Sequence, residues 1–178
     1  MNDLASRRGR AYARDCLVYL AIAAATLPFG LVTYAAGWGQ HQPFVLAMSS
    51  IAPVLATLLA ARQESGAAAA TPGKRRYGLV VTDRHGSHIR LGRGLVRNAV
   101  KIGVPWQIGH TVAVGAANGG FEDMDPLTIG AAVIAYPLIG MMIASVVWNQ
   151  GIAIHDRVAQ TRVRATTEDR SAIEPGLT

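Results

Sequence analysis

The sequence is short of nearly everything a soluble domain displays on its surface. Of its 178 residues only 16 % are charged and 6 % aromatic, and Cys16 is the single cysteine. One cysteine excludes an internal disulfide and a cysteine metal cluster; at the head of an apolar run Cys16 reads as a small buried filler, with acylation or reactivity as the alternative. The aromatics are not interleaved with Lys and Arg, so the formal net charge of +6 points away from nucleic acid and toward a membrane edge. Histidines and carboxylates are too scattered for metal-ligand spacing. No Ser-His-Asp, Cys-His or phosphate-loop pattern occurs, since "TPGK" lacks the other glycine and the Ser/Thr of that loop. The expectation is a protein that is no enzyme and carries no cofactor or metal.

What is abundant is uncharged apolar sequence, with 51 % of residues hydrophobic. Four runs hold no Asp, Glu, Lys or Arg: Cys16 to Ala36, Pro43 to Ala61, Ile102 to Ala117 and Leu127 to Trp148. A hydrocarbon core of about 30 Å needs roughly 20 helical residues, so the first, second and fourth suffice and the third is short. The first run follows Arg7, Arg8, Arg10 and Arg14 as a signal peptide would, but it is too long and further spans follow, so it reads as an uncleaved helix. Basic loops stay cytoplasmic. This places the arginine-rich N-terminus, the loop 62–101 and Arg157, Arg162 and Arg164 inside, with "GWGQHQ" and the acidic "NGGFEDMDP" outside. Four spans satisfy every loop; a three-span arrangement strands a basic C-terminus outside.

Within the loop, "ESGAAAATPG" reads as a flexible linker. "YGLVVTDRHGSHIRLG" reads as a β-hairpin with its turn at Asp83 to Gly86. A lone hairpin is marginal in water, so Gln160 to Arg164 is expected to add a third strand. Arg90, Arg93, Arg97 and Lys101 then share an arc of about 80° opposite Leu91, Leu95, Ala99 and Ile102, the pattern of an amphipathic interfacial helix turned toward lipid phosphates or acidic protein groups. Residues 165–178 read as a disordered tail. Pro28, Pro53, Pro105 and Pro137 bend the apolar runs, and Gly140 with Ala144 makes a small-xxx-small pair suited to close helix contact. Gln107 and His110 form the one polar pair near mid-membrane; His110 is a functional candidate or a neutral ring bonded to another helix.

Four segments in order carry a resemblance. "AYARD" preceded by Arg7-Arg8, "TPGKRRYGLVVTDRHG", "LGRGLVRN" and "HDRVAQTRV" together resemble the RDD family of small bacterial membrane proteins, named for an arginine and two aspartates. Carried over, these fall on Arg7 or Arg8, on Asp15 and on Asp156, with Thr71, Gly73, Lys74, Gly78, Arg93, Arg97 and His155 inside the matching motifs. Gly94 stands where the family usually has Ala, Gln160 where it has Gly, and Arg14 adjoins Asp15 as a local ion-pair partner. The resemblance implies an all-α membrane protein of the bacterial plasma membrane with both termini cytoplasmic. It also brings transport, including sodium–proton exchange, which has been proposed for members.

Asp15 at the head of the first span and Asp156 past the last lie on one predicted face, and a carboxylate at a bilayer edge is costly unless paired. A polar belt is expected in which both meet Arg93, Arg97 or Lys74, with helix-end electrostatics as the simpler alternative. His155 reads most simply as satisfying carbonyls at a helix C-terminus. The readings of function are an accessory or assembly subunit docking a larger envelope system through its cytoplasmic face, a small oligomeric transporter or cation/proton exchanger, and a sensor of anionic headgroups. The partners are the bilayer and a membrane protein or further copies of the chain.

Overall fold

The computed structural model describes residues 3–148 and 152–166. Helix α1 (Asp3–Ala35) is followed by α2 (Gln42–Ser49), α3 (Ile51–Ser65), a short α4 (Pro72–Arg76), β1 (Leu79–Asp83), α5 (Leu91–Asn98), a π-helical turn (Ala99–Gly103), α6 (Val104–Ala117), α7 (Pro126–Trp148), α8 (Ile154–Val158) and β2 (Thr161–Ala165). Among the described residues three helical stretches are long and apolar enough to cross a membrane: Asp3–Ala35, Gln42–Ser65 and Pro126–Ser145. At 1.5 Å per residue α1 is about 50 Å long, so its arginine-bearing first turns extend the apolar span rather than preceding it. Its apolar side chains point outward, Leu20 being 62 % and Leu31 68 % exposed, the inverse of a water-soluble helix and the arrangement lipid requires.

The second apolar run is two helices broken at Ser50. Pro53 has no N–H to return to Ser49 four residues back, which releases that carbonyl in an apolar setting. The Ser50 N–H bonds Ala47 instead of Leu46, whose carbonyl accepts the Ser49 and Ser50 hydroxyls at 2.8 and 3.0 Å. Pro105 sits harmlessly in the first turn of α6. The close helix contact lies at neither Gly140 nor Ala144, for nothing approaches Gly140. It lies where α6 turns back into α7: a Cβ on Gly115 would collide with the Thr128 hydroxyl. Asp125 caps α7 there by accepting from the Thr128 N–H at 2.8 Å and hydroxyl at 2.6 Å.

The expected hairpin is corrected. β1 pairs antiparallel with β2 over five registers, Leu79 opposite Ala165 and Asp83 opposite Thr161, so the C-terminal segment is the strand partner. The hairpin's own return limb contributes only the Thr82–His88 bridge. β2 alternates buried and outward residues, and Val81 and Val163 pack with Leu79, Ile89 and Ala11 of α1. The stretch read as a flexible linker is packed as well: Ala69 and Ala70 are buried, and the Val81 N–H donates to the Ala69 carbonyl at 2.7 Å, which covers the free edge of β1. Ala165 closes β2 and the Thr166 N–H donates to the Gly78 carbonyl at 2.9 Å; the rest of the expected tail, 167–178, lies outside the described residues.

The amphipathic helix is present as α5 and the π turn, with the later part of its polar arc turned inward and Arg90 and Arg93 left exposed. Arg97 and Lys101 are buried while Leu91 and Val96 are exposed.

Candidate functional site

Five elements converge on the inner side of α5. Arg97, 1 % exposed, holds two carboxylates at once. Its Nη1 donates to both oxygens of Glu64 at 2.6 Å, and its Nε and Nη2 donate to Asp156 Oδ1 at 3.0 and 2.9 Å. Glu64, at the end of α3, also accepts from Lys74 Nζ at 2.5 Å and Asn98 Nδ2 at 2.8 Å. Asp156, in α8, also accepts from Arg8 Nη2 of α1 at 2.5 Å and from its own helix cap, the Ala153 N–H, at 3.2 Å. Both carboxylates are 0 % exposed. Every lone pair they bring out of water is met by a charged or amide donor, the condition under which buried charges are tolerated. Beside these cations Asp156 titrates far below the usual carboxylate range although burial opposes it.

Asp15 is built differently. Its Oδ2 accepts from the Thr71 hydroxyl at 2.6 Å and its Oδ1 from the Gly73 N–H at 2.8 Å. Thr71 caps α4, with Pro72 behind it in the first turn, so Asp15 holds the N-terminus of α4 rather than a cation. Gly73 is required here, because a Cβ would collide with the Ala11 carbonyl oxygen. Arg14 is exposed and makes no ion pair with Asp15. Arg7 donates to the Tyr77 and Gly78 carbonyls, and Gly78 takes φ +59° directly against its guanidinium. Of the two arginines in the resemblance, Arg8 is the ion-pair partner and Arg7 the clasp on the start of β1.

The expected belt is therefore real for Asp156 with Arg97. It is wrong for Asp15, for Lys74, which serves Glu64, and for Arg93, which reaches Asp83 at 3.7 Å on the surface. Glu64 went unread in the sequence, although it is the only Asp or Glu between Asp15 and Asp83 and follows the second apolar run much as Asp156 follows the fourth. His155 caps no carbonyl: it lies inside α8, 5 % exposed, with Nδ1 lacking a hydrogen-bond partner. Burial first, then the Arg97 charge, lowers its pKa to about 2, so the ring is neutral.

Gln107 and His110 stand apart from this network, at the break between α2 and α3. The His110 Nδ1 lies 3.1 Å from the Ser49 carbonyl oxygen that Pro53 releases, and the Trp106 indole N–H donates to Nε2 at 2.9 Å. With Nε2 accepting, Nδ1 carries the proton and the ring is a neutral bridge. Gln107 Nε2 donates at 3.4 Å to Leu46 O, which the Ser49 and Ser50 hydroxyls also reach. The pair repairs a broken helix.

Among the described residues no group of three His, Cys, Asp or Glu is placed to hold a metal ion. What the network does is mechanical, tying the first turns of α1, the end of α3, α4, α5 and α8 into one polar end. Two positions that depart from the family pattern are sterically restricted. Gly94 packs on the Ala61 carbonyl, 3.0 Å from where a Cβ would stand, and Gln160 occupies a left-handed conformation, φ +54°, that suits glycine. No curated protein and no solved structure matches the chain. The residues that build the ion network, from Arg8 to Asp156, all fall within the stretch 4–160 that matches the RDD family, and the chain is a membrane protein belonging to that family.

Proposed function

We propose that this is a four-span protein of the bacterial plasma membrane whose cytoplasmic end is a rigid docking platform for a larger membrane assembly. Arg8, Glu64, Arg97 and Asp156 touch one another, so α1 leads away from that end, α2 and α3 return to it, α5 and α6 lead away and α7 returns. Counted from the π turn, the third limb covers 99–117, which at 1.5 Å per residue gives about 28 Å. The arginine-rich end then faces the cytoplasm with both termini.

The observation that carries the docking reading is the segregation of charge. Glu64, Asp15 and Asp156 are buried, while Arg75, Arg76, Arg84, Arg90 and Arg93 are exposed on the folded loop around β1. Such a cationic, preorganised face suits an acidic protein surface. The alternative, an oligomeric transporter or cation/proton exchanger, calls for ionisable groups along a path through the membrane. Here the carboxylates are saturated at one end and His110 is engaged on both ring nitrogens. No enzymatic role is proposed.

The test is purification of the tagged full-length chain in mild detergent with mass spectrometry of stoichiometric co-purifying proteins. A foreign membrane subunit is expected with the native chain and is lost from the triple variant Arg75→Glu, Arg76→Glu, Arg84→Glu. A clean homo-oligomer that conducts ions in liposomes would overturn the reading.

A further inference from the structure

A cavity of about 560 Å³ opens between the first turns of α1 and the end of α7, immediately beside the ion network. Five Lys or Arg residues line it and no Asp or Glu does. Three of the five, Arg8, Lys74 and Arg97, are committed to Glu64 and Asp156. Lys101 is not committed. It is only 8 % exposed, makes no hydrogen bond or ion pair among the described residues, and rests over the Tyr12 ring with Nζ 4.6 Å from the centroid. Arg10 and Ser6 also line the cavity, as do Met142 and Ile143 of α7, Ile143 being 62 % exposed.

We propose that this cavity binds a phosphate anion, with Lys101 as its principal ligand and Arg10 assisting at the mouth. Two sources present that chemistry, the headgroup of an acidic phospholipid and free phosphate. The volume favours the lipid, because it far exceeds a bare phosphate while falling in the range of small-molecule pockets. The walls agree, since Met142 and Ile143 continue the cavity into the membrane-facing surface where glycerol and the first acyl carbons would lie. The surroundings of Lys101 call for an anion as well. It is buried, close to the like charges of Lys74 and Arg97 and to the carboxylates of Glu64 and Asp15. Glu64 is already shared by those two cations and Asp15 is held by Thr71 and Gly73, so a docked anion offsets both the repulsion and the lost water. This inference rests on the polar end lying at the bilayer edge, but not on the docking of a partner protein.

The experiment measures thermal stabilisation and native mass spectra of the delipidated full chain with short-chain phosphatidylglycerol, with phosphatidylcholine, and with inorganic phosphate. Phosphatidylglycerol is expected to bind and raise Tm. Lys101→Met is expected to weaken this about tenfold or more, as loss of a charged hydrogen bond does, and the exposed Arg10→Gln less. The unliganded Tm reports folding separately; removing a buried charge among like charges should leave it unchanged or higher. Lys101-dependent binding of phosphatidylglycerol alone identifies a lipid site, and equally tight Lys101-dependent binding of inorganic phosphate identifies a free-anion site. Binding of neither, or equal binding by native and Lys101→Met protein, overturns the proposal. Loss of an engineered cysteine's labelling at position 84 in sealed inverted vesicles would instead contradict the membrane orientation and is read independently.

Discussion

Arg97 is the residue on which the most depends, because it is shared between two buried carboxylates, Glu64 and Asp156. Removing one member of such a cluster leaves the rest buried and uncompensated, at a cost of about 3–5 kcal/mol. Glu64→Gln, which strands Lys74 and Arg97, is expected to lower Tm and folded yield in detergent; a Tm equal to the native one would show the network to be idle. His155 carries a pH signature. Its pKa is near 6.5 unfolded and about 2 folded, so between those values the unfolded chain binds the extra proton and stability rises with pH. Asp156, depressed in the fold, loses its contribution only when pH falls below the unfolded carboxylate range near 4. Melting curves between pH 7 and 5 should therefore report His155, and His155→Gln should flatten most of the fall there. At Gln160, exposed and left-handed, substitution by Gly should stabilise by about 1 kcal/mol; a lower Tm would mean that its side chain makes a contact worth more than the strain.

The elements show what could be read from the sequence and what could not. The uncharged runs gave α6 and α7 nearly to the residue and the end of α1, but not its start, because the helix runs on through the arginines back to Asp3. β2 was legible as an alternating strand because Val163 and its neighbours have a period of two. The hairpin misled because its turn chemistry is genuine: the Asp83 carboxylate accepts from the His85 and Ser87 N–H groups at 2.9 Å. Local turn signals do not reveal that Ala69 and β2 take both edges of β1. The Arg97 arc was legible as amphipathic, but its sense was not, because periodicity cannot tell an apolar face toward lipid from one toward protein. Glu64 was missed because a carboxylate's partners are long-range contacts, 33 residues away in the case of Arg97. Amide exchange checks the sheet: Val80, which faces Arg164 of β2, should be protected in the full chain and lose that protection in a chain truncated after residue 159. Protection of Val80 in that truncation would return the pairing to the hairpin.

In the whole molecule, charge is sorted by depth. Glu64, Asp15 and Asp156 are drawn inside one polar end with Arg8, Arg97 and Lys74, while Arg75, Arg76, Arg84, Arg90 and Arg93 stay on its outer face, and the helices beyond it present leucine, isoleucine and phenylalanine outward. At that end the ionic clamp ties α1, α3, α5 and α8 to one another. The same clamp holds the cationic loop in a single shape. The most direct test of this account is a photo-crosslinking residue installed at Arg84 in intact cells, with a control at the lipid-facing Leu20. A discrete adduct to one acidic membrane-associated protein from position 84, absent from position 20, is the expected result. Adducts only to further copies of the chain, or none from position 84, would contradict the docking platform.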